Sequence, residues 1–200
     1  MTACLDLHDF SVNRNRFDLL LKLREHFPKL KVSLFTIPRL DFISDEKSLK
    51  MIKDNLDWLQ IIPHGFIHAR TETQFSTYGE FKNNTLPLIH EAFRNDGLPY
   101  EKGFCAPHWR WSADVVKVLD ELGWWGAVSY ERPKMLVPKR FYSYDYTIDK
   151  PFWESEKNVL KLHGHLYGTR NDLGKCFDNL LKLPHYTEWQ YVTNFLEEKI

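Results

Sequence analysis

Short apolar runs alternate with amphipathic stretches along the chain, and each apolar run stops at a polar or aromatic cluster. Thr2 to Leu7 is apolar-rich and ends at His8-Asp9, as a buried first strand would. Phe17, Leu19, Leu20, Leu23 and Phe27 then recur at helical spacing between Asn15 and Phe27, and Pro28 closes the helix. The unit repeats: Lys31 to Ile37 predicts a second strand, Asp45 to Leu56 a helix built on Leu49, Ile52 and Leu56, and Trp58 to Ile62 a third strand ending at His64. Thr71 to Asn84 is polar and reads as a long loop shaping a cleft, leading into a helix over Pro87 to Asn95. Lys102 to Cys105 gives a fourth strand. Ser112 caps a helix over Ala113 to Leu122 that Gly123 stops, and Trp124 to Tyr130 is a fifth strand ending in Glu131. Phe141 to Ile148 alternates as a sixth strand, Val159 to Leu162 is a seventh ending at His163, and Asn171 to Leu183 and Glu188 to Glu198 are expected as helices.

Strands alternating with helices predict an α/β fold with a mainly parallel sheet, and right-handed crossovers can close about seven such strands into a (β/α) barrel with its active site at the carboxyl ends of the strands. Residues 1–200 suit a single domain, long enough to bury about 70% of the surface of its unfolded chain.

The polar residues that close the strands are chemically selective. His8, His64, His68, His108, His163 and His165 all sit at such junctions, leaving only three of the nine histidines elsewhere. If the turn after Pro63 starts helically, His64 and His68 share a face one turn apart and can converge on one metal ion. With one carboxylate they make a three-ligand set that leaves a position open for water and substrate, a hydrolytic arrangement. His163 and His165 share a face if their strand persists, so either can act as an acid. Asp6 lies on the same face as His8, and His8, Asp6 and Glu131 are alternative bases.

Composition narrows the partners. With 27 basic and 27 acidic side chains, nothing suggests a general affinity for nucleic acid or an anionic membrane. Of seven Trp, several (Trp109, Trp111, Trp124, Trp125, Trp153) lie near the histidine-bearing strand ends, where they suit sugar rings as platforms or simply fill the core. Three widely spaced cysteines make neither a disulfide framework nor a cysteine zinc site, and Met1 to Asp6 lacks the basic and apolar regions of a signal peptide. The expectation is a soluble, cytoplasmic chain.

These motifs, in this order, resemble those of the polysaccharide deacetylases of the NodB-homology type, the family 4 carbohydrate esterases. Leu7-His8-Asp9-Phe10 is similar to the paired aspartates of the first motif, His64 to His68 to the paired histidines of the second, Phe104 to Trp109 to the Arg-and-Pro cleft wall, and Leu162-His163 to the Leu-His motif of the general acid. The resemblance implies an irregular barrel, one divalent metal ion, expected as zinc, on Asp9, His64 and His68, and His163 as the acid. Substrate contact is expected at His108, Trp109 and His165, with an acetylated sugar or glycan as substrate, losing its acetyl group from an amide or ester. Two departures stand out. His8 occupies the place of the catalytic aspartate, as in some divergent relatives, and Cys105 that of the arginine orienting it, with Arg110 a potential substitute. A non-catalytic carbohydrate-binding or regulatory protein on the same barrel is therefore the rival reading.

Overall fold

Alternation along the first strand, β1 (Thr2–Phe10), sorts its side chains into two interiors. Ala3, Leu5 and Leu7 join the large core between strands and helices, whereas Cys4 joins a smaller cluster with Phe35, Ile62, Cys105, Trp125, Ala127 and Tyr142. Asp6 and His8 follow Cys4 on that second, inner face. The computed structural model describes residues 1–40, 45–129 and 136–199.

Helix α1 (Phe17–His26) leads to β2 (Val32–Thr36), and α2 (Glu46–Lys53), capped by the Asp45 side chain on Ser48 N, leads to β3 (Leu59–Pro63). Next come α3 (Tyr78–Glu80) and α4 (Leu86–Asp96), joined by a wider-pitched turn over Phe81–Thr85, and then β4 (Gly103–Cys105), α5 (Ala113–Glu121) and β5 (Trp125–Val128). The chain continues through β6 (Arg140–Ser143), β7 (Tyr146–Thr147), β8 (Val159–His165), α6 (Leu173–Leu180), β9 (Glu188–Gln190) and β10 (Glu197–Glu198). One sheet runs β3-β2-β1-β8-β7, with β9 also on β1, and the other runs β10-β6-β5-β4. Among the described residues every strand pairing is parallel except β10 on β6.

Together β1 to β8 follow one another around an irregular barrel with two seams. At the first, Glu101 N donates to Ile61 O (2.9 Å) between β3 and β4, and at the second the chain itself crosses from β6 to β7. The α/β class with a mainly parallel sheet is the one expected, and three expectations about elements are corrected. Phe141 to Ile148 is two strands, because the chain changes sheet at Tyr144. The polar stretch Thr71 to Asn84 is helical from Tyr78, where Thr77 and Glu80 cap each other reciprocally: Glu80 N donates to Thr77 Oγ1 (3.3 Å) and Thr77 N to the Glu80 carboxylate (2.8 Å). Glu188 to Glu198 is β9, a 3₁₀ turn (Val192–Phe195) and β10, because its backbone finds partners on β1 and β6. The expected fifth strand ends earlier than Tyr130, and Tyr130 and Glu131 lie outside the described residues.

Candidate metal centre and proton-transfer site

Strict alternation would turn Asp9 away from His8. Instead β1 carries a bulge: Leu7 pairs with Leu34 and Phe10 with Thr36, so three residues advance against two, and Asp9 takes a left-handed backbone (φ 59°). His8 and Asp9 thereby both serve the carboxyl end of the barrel.

His64 follows β3, its N–H bound to Thr36 O (2.8 Å). The turn after it is not helical as expected. Gly65 (φ 76°) and His68 (φ 67°) are left-handed, and the loop folds back to set the two rings 4.6 Å apart. A Cβ on Gly65 would meet Pro107 Cγ at 2.7 Å, so the close approach requires glycine. Glu72, which sequence patterning gave no reason to single out, holds this loop: its carboxylate accepts from the N–H groups of Phe66, Ile67 and Ala69.

Because a carbonyl only accepts, His64 Nδ1 donates to Cys105 O (3.0 Å), which leaves its Nε2 as an acceptor. That nitrogen lies 3.5 Å from Asp9 Oδ1 and 3.1 Å from His68 Nε2, and His68 Nε2 lies 3.4 Å from Asp9 Oδ1. Four-coordinate zinc with bonds of about 2.0–2.1 Å sets its ligand atoms about 3.3–3.4 Å apart, so the triangle matches one face of such a site. Asp9 Oδ1 is buried without a hydrogen-bond partner, as an atom reserved for a cation would be. Burial pushes the Asp9 carboxyl up, but the His64 ring and the charges of His165 and His68 outweigh it and hold the group well below its ordinary value. Burial, followed by the neighbouring His64, pushes the His68 imidazole down to about 4.

The opposite wall comes from β8, which runs on through His165 and pairs Asp6 with His163 and His8 with His165. Gly164 between the histidines leaves room for Ile148 and Leu7, whose side chains a Cβ would meet at 2.6 and 3.0 Å. The buried Asp6 carboxylate lies 2.5 Å from His163 Nδ1 through Oδ1 and accepts from Tyr142 OH (2.9 Å) through Oδ2. Tyr144 stacks on the His163 ring at 4.3 Å. His165 Nδ1 meets Asn171 Oδ1 (3.1 Å), which also accepts from Thr169 Oγ1 (2.7 Å), so Nδ1 is the donor and Nε2 stays unprotonated. Burial, followed by the charge of His163, pushes the His165 imidazole down to about 4.

His8 is sealed at 1% exposure between Phe35 and Trp109, with ring centroids at 4.3 and 4.8 Å. Its Nε2 lies 3.2 Å from Asp6 Oδ1 and its Nδ1 3.9 Å from Cys105 Sγ, so both nitrogens face other side chains. Burial, then the neighbouring histidines, holds this imidazole well below its ordinary value, and burial likewise pushes the Cys105 thiol well above its own. Cys105 thus stands directly against His8, whereas Arg110 uses its backbone oxygen to accept from Thr73 Oγ1 (2.6 Å). His108 and Trp109 have left-handed backbones (φ 56° and 60°); His108 packs on His68 at 4.8 Å and Trp109 lies across His8 and His163. Trp124 and Trp125 are core residues and Trp153 is partly buried against the large core under Lys182, whereas Trp109 and Trp111 are partly exposed, with Trp109 against His8 and His163.

No protein-family model matches this chain, and no curated protein does. Solved structures do. A family 4 carbohydrate esterase from Streptomyces lividans in complex with acetate is 12% identical, over 91% of this chain and 87% of its own, with a TM-score of 0.63. The chitin deacetylase of Colletotrichum lindemuthianum is 13% identical over 99% and 88%, also with a TM-score of 0.63. A pseudoenzyme of the same esterase family from Bacillus anthracis is 13% identical over 96% and 64%, with a TM-score of 0.59. At these identities the likeness is one of fold, and the chain has the NodB-like polysaccharide deacetylase fold.

Proposed function

We propose that this protein is a metal-dependent carbohydrate deacetylase that hydrolyses an acetyl amide or ester on a sugar. The observation that carries the reading is the triangle of Asp9 Oδ1, His64 Nε2 and His68 Nε2, whose edges of 3.1 to 3.5 Å match one face of a four-coordinate zinc site. Asp9, His64 and His68 would hold one divalent ion, zinc by its preference for this donor set, supplying water of lowered pKa and polarisation of the acetyl carbonyl.

The proton steps fall to the chain's own residues. His163, fixed by Asp6 in the Nδ1–H tautomer, offers Nε2 for a second proton, and the buried carboxylate stabilises the imidazolium so formed, as a general acid toward the leaving sugar nitrogen or oxygen requires. Of the alternative bases His8, Asp6 and Glu131, His8 has both nitrogens turned to other side chains, Asp6 and Cys105, and Asp6 is engaged by His163 and Tyr142. His165, with Nδ1–H on Asn171 and an unprotonated Nε2, takes the role of proton acceptor. Trp109 and His108 form the wall against which a sugar ring would lie.

One observation favours a second reading, a carbohydrate-binding barrel without turnover: the base position holds a sealed imidazole against a thiol. The two readings separate on acetate release from N-acetylated chito-oligosaccharides and acetylated xylo-oligosaccharides by zinc-loaded protein. Release that stops on chelation and returns with zinc supports the enzyme. Binding of the same oligomers with no acetate released supports the binding barrel.

A further inference from the structure

Behind the outer triangle lies a second donor set of different chemistry. Cys105 Sγ, His8 and His64 bring one ligand atom each to within 4.8 Å of the others, and all three side chains are buried. The Cys105 Sγ to His8 Nδ1 edge is 3.9 Å. With metal–sulfur and metal–nitrogen bonds of about 2.3 and 2.0 Å, a three-coordinate ion holds its sulfur and nitrogen about 3.7 Å apart, so this edge is already near its bound length. His8 Nε2, on the far side of the ring, faces Asp6 Oδ1 at 3.2 Å without meeting hydrogen-bond geometry, which leaves Nδ1 as the nitrogen turned to Cys105.

We infer that Cys105, His8 and His64 form an inner site for a soft monovalent ion, Cu(I), distinct in chemistry from the outer carboxylate–imidazole set. Thiolate with imidazole selects Cu(I), whereas a carboxylate with two imidazoles suits zinc. Low coordination number fits as well, because His8, His64 and Cys105 are all buried from solvent. On binding, the Cys105 thiol loses its proton to solvent as the sulfur–copper bond forms, and no electron changes hands. His64 is common to both sets, and Asp9 and His68 are the partly exposed members of the outer triangle, which makes that triangle the route of entry. The inner site rests on the metal-centre reading only through His64.

The test uses metal-stripped full-length protein under anaerobic, reducing conditions. Cu(I) is competed against a chromophoric chelator, Zn(II) binding is measured in parallel, and the copper environment is read by X-ray absorption. Wild type should take up one Cu(I) with one sulfur and two nitrogens in its first shell. Cys105→Ser and His8→Phe should each bind it at least about tenfold more weakly, about 1.4 kcal/mol. His68→Ala should lose zinc and keep Cu(I), and the double variant Cys4→Ser/Cys176→Ser should keep both. Unchanged Cu(I) affinity in Cys105→Ser, loss of Cu(I) in His68→Ala, or loss in the Cys4/Cys176 variant would overturn the inner site. Absence of sulfur from the wild-type copper shell would do so without any variant. Zinc lost from wild type while Cu(I) is retained would remove the outer reading alone.

Discussion

Asp6 and His163 are joined at 2.5 Å across β1 and β8, a carboxylate and an imidazole paired in register inside the barrel. Asp6 has no route to solvent, so its charge is compensated by His163, by Tyr142 OH and by the edge of His8. Replacing it with Asn should leave the metal in place and reduce turnover by about 10–100-fold, the usual effect of losing an orienting partner. His163→Ala, which removes the acid itself, should cost about 10²–10⁴-fold. Metal content and kcat measured together check this. A variant of Asp6 at wild-type rate would detach the carboxylate from the chemistry.

The proposed proton acceptor, His165, can be told apart from His8 by substitution. His165→Gln should lower kcat by about 10²-fold or more with metal retained, whereas His8→Gln should change it by less than about threefold. The reverse ranking would return the role to His8. His8→Asp that creates activity in an otherwise inert protein would favour the binding barrel.

Glu72 holds three N–H groups of the His64–His68 loop with one carboxylate. Glu72→Ala should weaken zinc by about 10–100-fold without removing any ligand. Competition with a zinc chelator reads this directly, and an unchanged affinity would show that Gly65 and Pro107 suffice to hold the loop.

Metal-free protein should lose stability as pH falls from about 6.5 toward 4. His68 and His165 are neutral in the folded state down to about 4, whereas in the unfolded chain they titrate near their ordinary value. Between those pH values the unfolded state binds more protons, so stability rises with pH by up to about 1.4 kcal/mol per unit for each histidine, less where solvent reaches the ring. Urea midpoints in chelator across this window check it. A flat profile would mean that both rings already titrate normally in the fold.

Much of the barrel was legible because its strands are continuous apolar runs and its helices carry clean boundaries: Pro28, the Ser112 cap and Gly123. Glu188 to Glu198 misled because its apolar residues, Trp189, Val192 and Leu196, fit a helical period as well as they fit two short edge strands, and only partners on β1 and β6 decide between them. The convergence of Asp9, His64 and His68 was anticipated but its geometry was not. It depends on left-handed backbone at Asp9 and His68, which no spacing rule supplies for non-glycine residues. Asp6 was visible as sharing a face with His8, yet its bond to His163 needed the β1–β8 register. Glu72 gave no signal, because a carboxylate that binds backbone N–H groups is indistinguishable in sequence from a solvated one.

The metal triangle is the centre of the account, and its stoichiometry tests it most directly. Stripped protein is dialysed against zinc, desalted and measured by elemental analysis, alongside Asp9→Ala, His64→Ala and His68→Ala. The account predicts about one zinc per chain in wild type and loss of it in each variant, with the far-ultraviolet circular dichroism unchanged. Wild type that remains metal-free, or variants that retain a full equivalent, would contradict it.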